Sequence, residues 1–211
     1  MSDPNDQTDD RPTRPGPIGG DMASIVFGLA RRARIPRLVD QHDSTTVMGF
    51  FALVNGIISI AVMSTAALVT GAPFIFPSLG PTAFLHFYTP TAPAASPRNT
   101  IIGHAIGAGA GYLALVIFGL TDAGPALVEG VAWDRVGAAA LSLGLTSGLM
   151  VWLRAPHPPA GATTLIVSLG ILPDPVDLAV LMLAVVALVG QAYVINHLAG
   201  IDYPRWRANP T

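Results

Sequence analysis

His157-Pro158-Pro159 is the most distinctive tripeptide in this 211-residue chain. Pro159 suits the first turn of a helix, where a missing N–H costs nothing. That sets His157 just ahead of a helix start, near its unpaired amides. An imidazole there can donate to a polar solute or change charge near neutral pH; the other reading is a structural histidine that ties a broken backbone together. A second Pro/Gly break holds Pro77 and Gly80. Ser78 and Thr82 flank it, as Gly161, Thr163 and Thr164 flank the first. Hydroxyls in such places contact a solute or cap the following helix. Arg98-Asn99 leads into an apolar run that holds Gly103 and His104. Ionisable side chains inside such runs are rare and mark function, with a helix–helix hydrogen bond as the alternative. Arg98 and Arg154 either draw anions toward the breaks or reach lipid phosphates. Asn55, Gln191 and Asn196 are isolated polar residues of the kind that bridge helices, and His86 lies near the end of its segment.

Other chemistries are poorly supplied. The chain has no Cys, and all 11 of its cationic Lys/Arg positions are Arg. Thiol catalysis, Cys-based metal sites, Schiff bases and Walker-A phosphate binding therefore have no residue to work with. Every Asp and Glu falls in a tail, a loop or the edge of an apolar segment, so no carboxylate pair exists for an intramembrane aspartyl enzyme or a carboxylate proton relay. HExxH and GxSxG are absent, and the 5 His residues lack metal-ligand spacing. The expectation is a protein that is not an enzyme and holds no metal or cofactor.

Composition sets the solvent. Hydrophobic residues make up 51% and charged residues 11%, at a mean hydropathy of +0.55. Soluble domains carry about 25% charge. Between 44 and 199 only Arg98, Asp122, Glu129, Asp134, Arg135, Arg154, Asp174 and Asp177 are charged. A soluble enzyme, a disordered protein and a nucleic-acid binder are excluded. Four apolar segments, 46–70, 100–120, 136–153 and 176–197, are long enough to cross a bilayer as helices. Two shorter ones, 74–88 and 159–172, either cross with the help of extended backbone or dip in and return. Residues 1–23 read as a disordered polar tail. The segment 24–38, with Arg31, Arg32, Arg34 and Arg37, reads as an interfacial helix or as a basic flank of the first span.

The short segments are related. FPSLGPTAFL (76–85) aligns without gaps to HPPAGATTLI (157–166), pairing Pro77 with Pro158, Gly80 with Gly161 and Thr82 with Thr163. Paired broken segments in two halves point to a transporter binding site, because unwound backbone at membrane depth survives only inside protein or beside a wet cavity. The expected fold is an all-α polytopic membrane protein of two halves, each a long span, a broken short segment and a long span. The preferred form has six spans with an inverted repeat; the alternative has four spans and two re-entrant segments. In the six-span form Arg98, Arg154, Arg205 and Arg207 join the N-terminal arginines inside, leaving Arg135 outside with five acidic residues. The organisation is then 1–43 cytoplasmic tail, 44–120 first repeat, 121–132 loop, 133–199 second repeat and 200–211 cytoplasmic tail. Gly103, Gly107 and Gly111, and Ala140, Gly144 and Gly148, follow the small-xxx-small rhythm of close helix packing, within a chain or across a homodimer. Trp133, Trp152, Tyr203 and Trp206 are placed as an interfacial aromatic belt.

RAPHPPAGATTLIVSLGIL and the upstream PSLGPTAFLHFYTPTAPAASPRNTIIGHAIGAGAGY resemble the signatures of the HPP family of integral membrane proteins over about residues 40–200. The resemblance implies four transmembrane helices. It also implies a small-anion permease, since plant chloroplast and cyanobacterial relatives are associated with nitrite. By motif it marks Pro77, Ser78, Gly80 and Thr82, then Arg98, Asn99 and His104, then His157, Pro158, Pro159, Gly161 and Thr163. The combined expectation is a carrier for a small anion such as nitrite, bound at helix N-termini by Ser78, Thr82, His157 and Thr163 and concentrated by Arg98 and Arg154. An anion channel and a non-transporting scaffold or sensor are the rival functions. The expected setting is a bacterial inner membrane with both termini cytoplasmic.

Overall fold

The computed structural model of the chain describes residues 34–208. The readings of the 1–23 tail and of Arg31 and Arg32 lie outside those residues. Eight α-helices form among the described residues: α1 Ile35–Gln41, α2 Ser44–Thr70, α3 Leu79–Tyr88, α4 Pro97–Ile117, α5 Ala126–Glu129, α6 Trp133–Trp152, α7 Pro159–Ser168 and α8 Pro175–Leu198, with a 3₁₀ turn at Pro93–Ala95. There is no strand among the described residues. α2, α4, α6 and α8 are long and apolar enough to cross a membrane, and they coincide with the four long segments expected. Their outward faces expose Phe50, Leu53, Ile57, Leu183 and Val186, which is the surface a protein shows to hydrocarbon rather than to water.

Local chemistry sets the ends. Asp43 caps α2, accepting from the Thr46 N–H at 2.7 Å and its hydroxyl at 2.8 Å. These bonds hold the Asp43 carboxyl below its usual range. Asp174 and Pro175 start α8, and Ser96 and Pro97 start α4, which puts α4 three residues earlier than the apolar run suggests. Gly71, Gly170 and Gly200, at φ of 69°, 74° and 78°, take the left-handed conformation that closes α2, α7 and α8. The short helices are shorter than their apolar segments. Pro73 and Pro77 keep 72–77 out of helical structure before α3, and Gly170 stops α7 at Ser168. Ten residues make about 15 Å of helix, half a hydrocarbon core.

Contacts sort the helix ends into two groups. At one end Ile35 N donates to Ala199 O at 2.9 Å, Arg98 N to Trp206 O at 3.0 Å, and the Arg98 guanidinium to Leu153 O and Arg154 O. This end gathers α1, the start of α4, the ends of α6 and α8, and segment 199–208. At the other, Arg135 in the first turn of α6 donates to Ser168 O at 3.2 Å and Gly124 O at 2.8 Å. Each arginine thus caps a helix C-terminus. The first end carries Arg34, Arg37, Arg98, Arg154, Arg205 and Arg207 beside Asp40, Asp43 and Asp202. The second carries Arg135 with Asp122, Glu129, Asp134, Asp174 and Asp177.

α3 and α7 run in opposite directions between these ends. The C-terminal turn of α3 reaches the arginine-rich end, where His86 O accepts from Asn196 Nδ2 at 3.0 Å. α7 starts level with Gly103, about 9 Å into α4 by helical rise, and finishes at Arg135. The glycines of α4 permit this approach: a Cβ on Gly103 would lie 2.7 Å from His157 Cβ, one on Gly107 2.6 Å from Ala160 O, and one on Gly111 2.7 Å from Val167 Cβ. This small-residue stripe is therefore used within the chain. Gly144 of α6, by contrast, has nothing within 4 Å of where its Cβ would be. The main core lies between α2, α3 and α8 around Met63, Leu79, Phe87, Leu181, Val185 and Leu188. Trp133, Trp152 and Trp206 are exposed as a belt requires, but Tyr203 is 1% exposed. Its hydroxyl folds inward to His86 and Ala95 instead, and burial pushes its ionisation up.

Candidate functional site

Three elements bring polar side chains to one place inside the bundle. α4 contributes Thr100 and His104, one turn apart on its buried face; α3 contributes Thr82; the segment ahead of α7 contributes His157, and α7 itself Thr163. All five are fully buried. The His104 ring stands between the two halves of the chain. Its Nε2 is 3.0 Å from Thr82 Oγ1 and its Nδ1 is 2.7 Å from Thr163 Oγ1. The two threonines that the repeat pairs are thus held by the two nitrogens of one imidazole. His157 Nε2 lies 3.2 Å from His104 Nε2 and 3.4 Å from Thr82 Oγ1, and His157 Nδ1 lies 2.7 Å from Ala94 O.

The neighbours fix the protons on the neutral rings. Ala94 O can only accept, so His157 Nδ1 carries hydrogen and its Nε2 is an acceptor. His104 Nε2–H then donates toward His157 Nε2 and Thr82 Oγ1, while the Thr82 hydroxyl donates to Ser78 O at 2.8 Å. His104 Nδ1 accepts from Thr163. The result is a one-directional chain from the Thr163 hydroxyl through both rings to Ala94 O. Ser78 Oγ stands apart: it is buried, makes no capping bond to α3, and has no partner.

The other expected site residues divide. Asn99 is buried at the start of α4, where it donates to Pro93 O at 2.9 Å and accepts from Arg98 Nη1 at 2.9 Å; it shapes the 3₁₀ turn that presents Ala94 O. Pro159 is buried as the first residue of α7. Gly80 and Pro158 are exposed and Gly161 half-exposed, on the outer side of the short helices. There Pro81, Phe84, Leu85, Pro158, Pro159 and Ala162 line an apolar cleft of about 320 Å³. Arg98 is committed to three acceptors, and Arg154 is exposed with φ of 49°. Neither reaches the buried cluster. A cavity of about 560 Å³ at the arginine-rich end is lined instead by His197, Asp202, Tyr203, Arg205 and Arg207. The free amides expected at the start of α7 are engaged as well: Ala160 N and Gly161 N donate at 3.0 Å to His157 O and Pro158 O, because the two prolines wind the chain into a tight turn before the helix begins. The helix dipole remains, but side chains must do the recognition.

Some residues carried no legible role in the sequence. Thr100 Oγ1 sits 3.5 Å from His157 Nδ1, and Thr146 of α6 pairs with Thr164 at 2.7 Å; each is a polar residue in an apolar run, the one signal available. Ala94 acts through its backbone and has none. Among the described residues, no group of His, Asp and Glu could hold a metal ion.

The helices and their apolar exterior define the class: an all-helical integral membrane protein with four candidate spans. More closely, the chain belongs to the HPP transmembrane-region family, which it matches over residues 41–204. Two transmembrane proteins of Dictyostelium discoideum are similar to it. One is 34% identical over 94 residues, 44% of this chain and 30% of the relative; the other is 37% identical over 93 residues, 44% of this chain and 27% of the relative. The chain thus matches less than a third of the length of these curated relatives. No solved structure matches it.

Proposed function

We propose that the protein is a non-enzymatic carrier for a small polar anion, with nitrite as the leading solute, bound at the Thr82, His104, His157 and Thr163 cluster with the unpartnered Ser78 hydroxyl as a further donor. The observation that carries this reading is the His104 ring shared by the repeat-equivalent Thr82 and Thr163. Two broken segments in inverted halves, meeting at polar side chains inside an apolar bundle, are the architecture of alternating access. The opposed directions of α3 and α7 favour six crossings, each short helix completed by irregular backbone at 71–78 or 153–158. The arginine-rich end then faces the cytoplasm of a bacterial inner membrane by the positive-inside rule, with both ends of the described chain there. The cavity lined by Arg205 and Arg207 is the better candidate for gathering anions, since the Arg98 guanidinium is already engaged.

The test is flux of nitrite, nitrate, chloride and formate into proteoliposomes of the full chain. Protein-free vesicles and alkaline pH control for leakage of neutral nitrous acid. Saturable nitrite uptake with counterflow, reduced at least tenfold by His157→Gln in folded protein, supports the carrier; unsaturable flux assigns a channel. The fully buried, mutually bonded cluster also fits a non-transporting scaffold or sensor, the conclusion that absence of flux for all four anions would bring.

A further inference from the structure

The cluster that would hold the anion contains no permanent positive charge. Arg98 is bonded to Leu153 O, Arg154 O and the Asn99 side chain, and Arg135 to Ser168 O and Gly124 O, so these two serve helix ends, while Arg154, on the backbone leading into α7, is exposed. No lysine exists in the chain. An anion taken from water into a buried site without a compensating charge meets a large desolvation penalty. Among the described residues, the titratable groups that take part in the cluster's hydrogen bonds are the two imidazoles.

Their geometry admits one added proton. In the neutral chain of bonds a single hydrogen lies between His104 Nε2 and His157 Nε2, 3.2 Å apart. A proton added at His104 Nδ1 needs one adjustment: the Thr163 hydroxyl, 2.7 Å away, turns from donor to acceptor. His104 is then an imidazolium that donates to Thr163 on one side and to His157 and Thr82 on the other. A second proton would place two N–H groups head-on across the 3.2 Å contact. The Ser78 hydroxyl, buried and unpartnered immediately ahead of α3 and four residues before Thr82, is the further donor we assign to the anion. A third imidazole, His86, is buried one turn after Thr82 on α3, its Nδ1 2.9 Å from the Tyr203 hydroxyl and its Nε2 without a partner; the other titratable groups on packed elements are Asp134 and Arg135 in the first turn of α6, Asp174, Asp177 and His197 at the two ends of α8, and Tyr203 beyond it.

We propose, building on the anion-carrier reading, that the His104–His157 pair is the coupling site, taking up one proton with each anion so that the occupied site is neutral. One H⁺ and one monovalent anion enter together and leave together, with no net charge moved. The imidazole pair thereby supplies what the missing membrane carboxylates do not.

The measurement is calorimetric binding of sodium nitrite to the purified full chain in buffers of different ionisation enthalpy, repeated from mildly acidic to mildly alkaline pH. Uptake of one proton per nitrite is expected, with affinity falling about tenfold per pH unit as the pH rises above the range where the free pair is protonated. His104→Gln, which keeps a donor and an acceptor, should abolish proton uptake; if that variant does not fold, the pH slope of the unmodified protein decides alone. Nitrite binding without proton uptake overturns this coupling and leaves the anion site standing. No binding of nitrite, nitrate or formate at any pH overturns the anion site and the coupling together.

Discussion

At His104 two halves of the chain share one ring, and the bonds around it are unequal in what they leave behind when broken. Thr163 donates the only bond that His104 Nδ1 receives. Thr163→Val should therefore cost about 1–3 kcal/mol, the penalty for a buried group stripped of its partner. Thr82→Val should cost less, because His104 Nε2–H still has His157 to donate to. Denaturant or thermal unfolding in detergent would rank the two. Ser78 separates stability from function. Its hydroxyl bonds to nothing in the fold, so Ser78→Ala should change stability by no more than about 0.5 kcal/mol while weakening nitrite binding several-fold in the same calorimetric assay. These residues were legible because ionisable or hydroxyl side chains stand out in an apolar run. Their pairing was legible only as far as the repeat went: the alignment joined Thr82 to Thr163, but nothing in it pointed to His104 as the group between them. Ala94 O, which fixes the His157 tautomer, was invisible because a backbone carbonyl leaves no mark on residue type.

The long helices follow directly from hydropathy, and their caps account for the shifts of a few residues at their ends. The short helices do not. Their apolar segments continue beyond the helical turns, and it is the prolines and Gly170 that decide where winding starts and stops. The glycine stripe of α4 was readable as close packing but not as packing against α7, since spacing gives a face and not its partner. The difference between stripes can be tested. Gly107→Val should destabilise by about 1–3 kcal/mol or more, since even a Cβ meets the Ala160 carbonyl at 2.6 Å. Gly144→Ala, with open space around it, should be neutral or stabilise by up to about 1 kcal/mol through helix propensity. Arg98, expected from sequence to steer anions or meet lipid, closes the end of α6. Arg98→Ala should lower the unfolding temperature by stripping Leu153 O and Arg154 O of their donor, and should do so equally at low and high salt, where a steering role would show ionic-strength dependence in flux instead.

For the molecule as a whole, the sorting of charges between the two ends makes a topological prediction that the chain is well suited to test. With no native cysteine, single cysteines can be placed at Ala208 on the arginine-rich end and at Val128, 82% exposed, on the acidic end. In intact cells a membrane-impermeant thiol reagent should label Val128→Cys and spare Ala208→Cys; the reverse pattern would invert the orientation. The arginine-rich end also bears on how the protein is made. Tyr203 OH donates to Ala95 O at 2.8 Å across a separation of 108 residues, and Trp206 O accepts from Arg98 N. The turn that offers its carbonyl to His157 is thus fastened by residues translated long after it. An insertion intermediate that has threaded both halves but not yet this strap would hold a complete set of helices around an unsettled histidine. Completion of the His104–His157 cluster should therefore follow insertion of the helices, and a C-terminal truncation ahead of Tyr203 should yield protein that inserts normally yet carries a loosened centre.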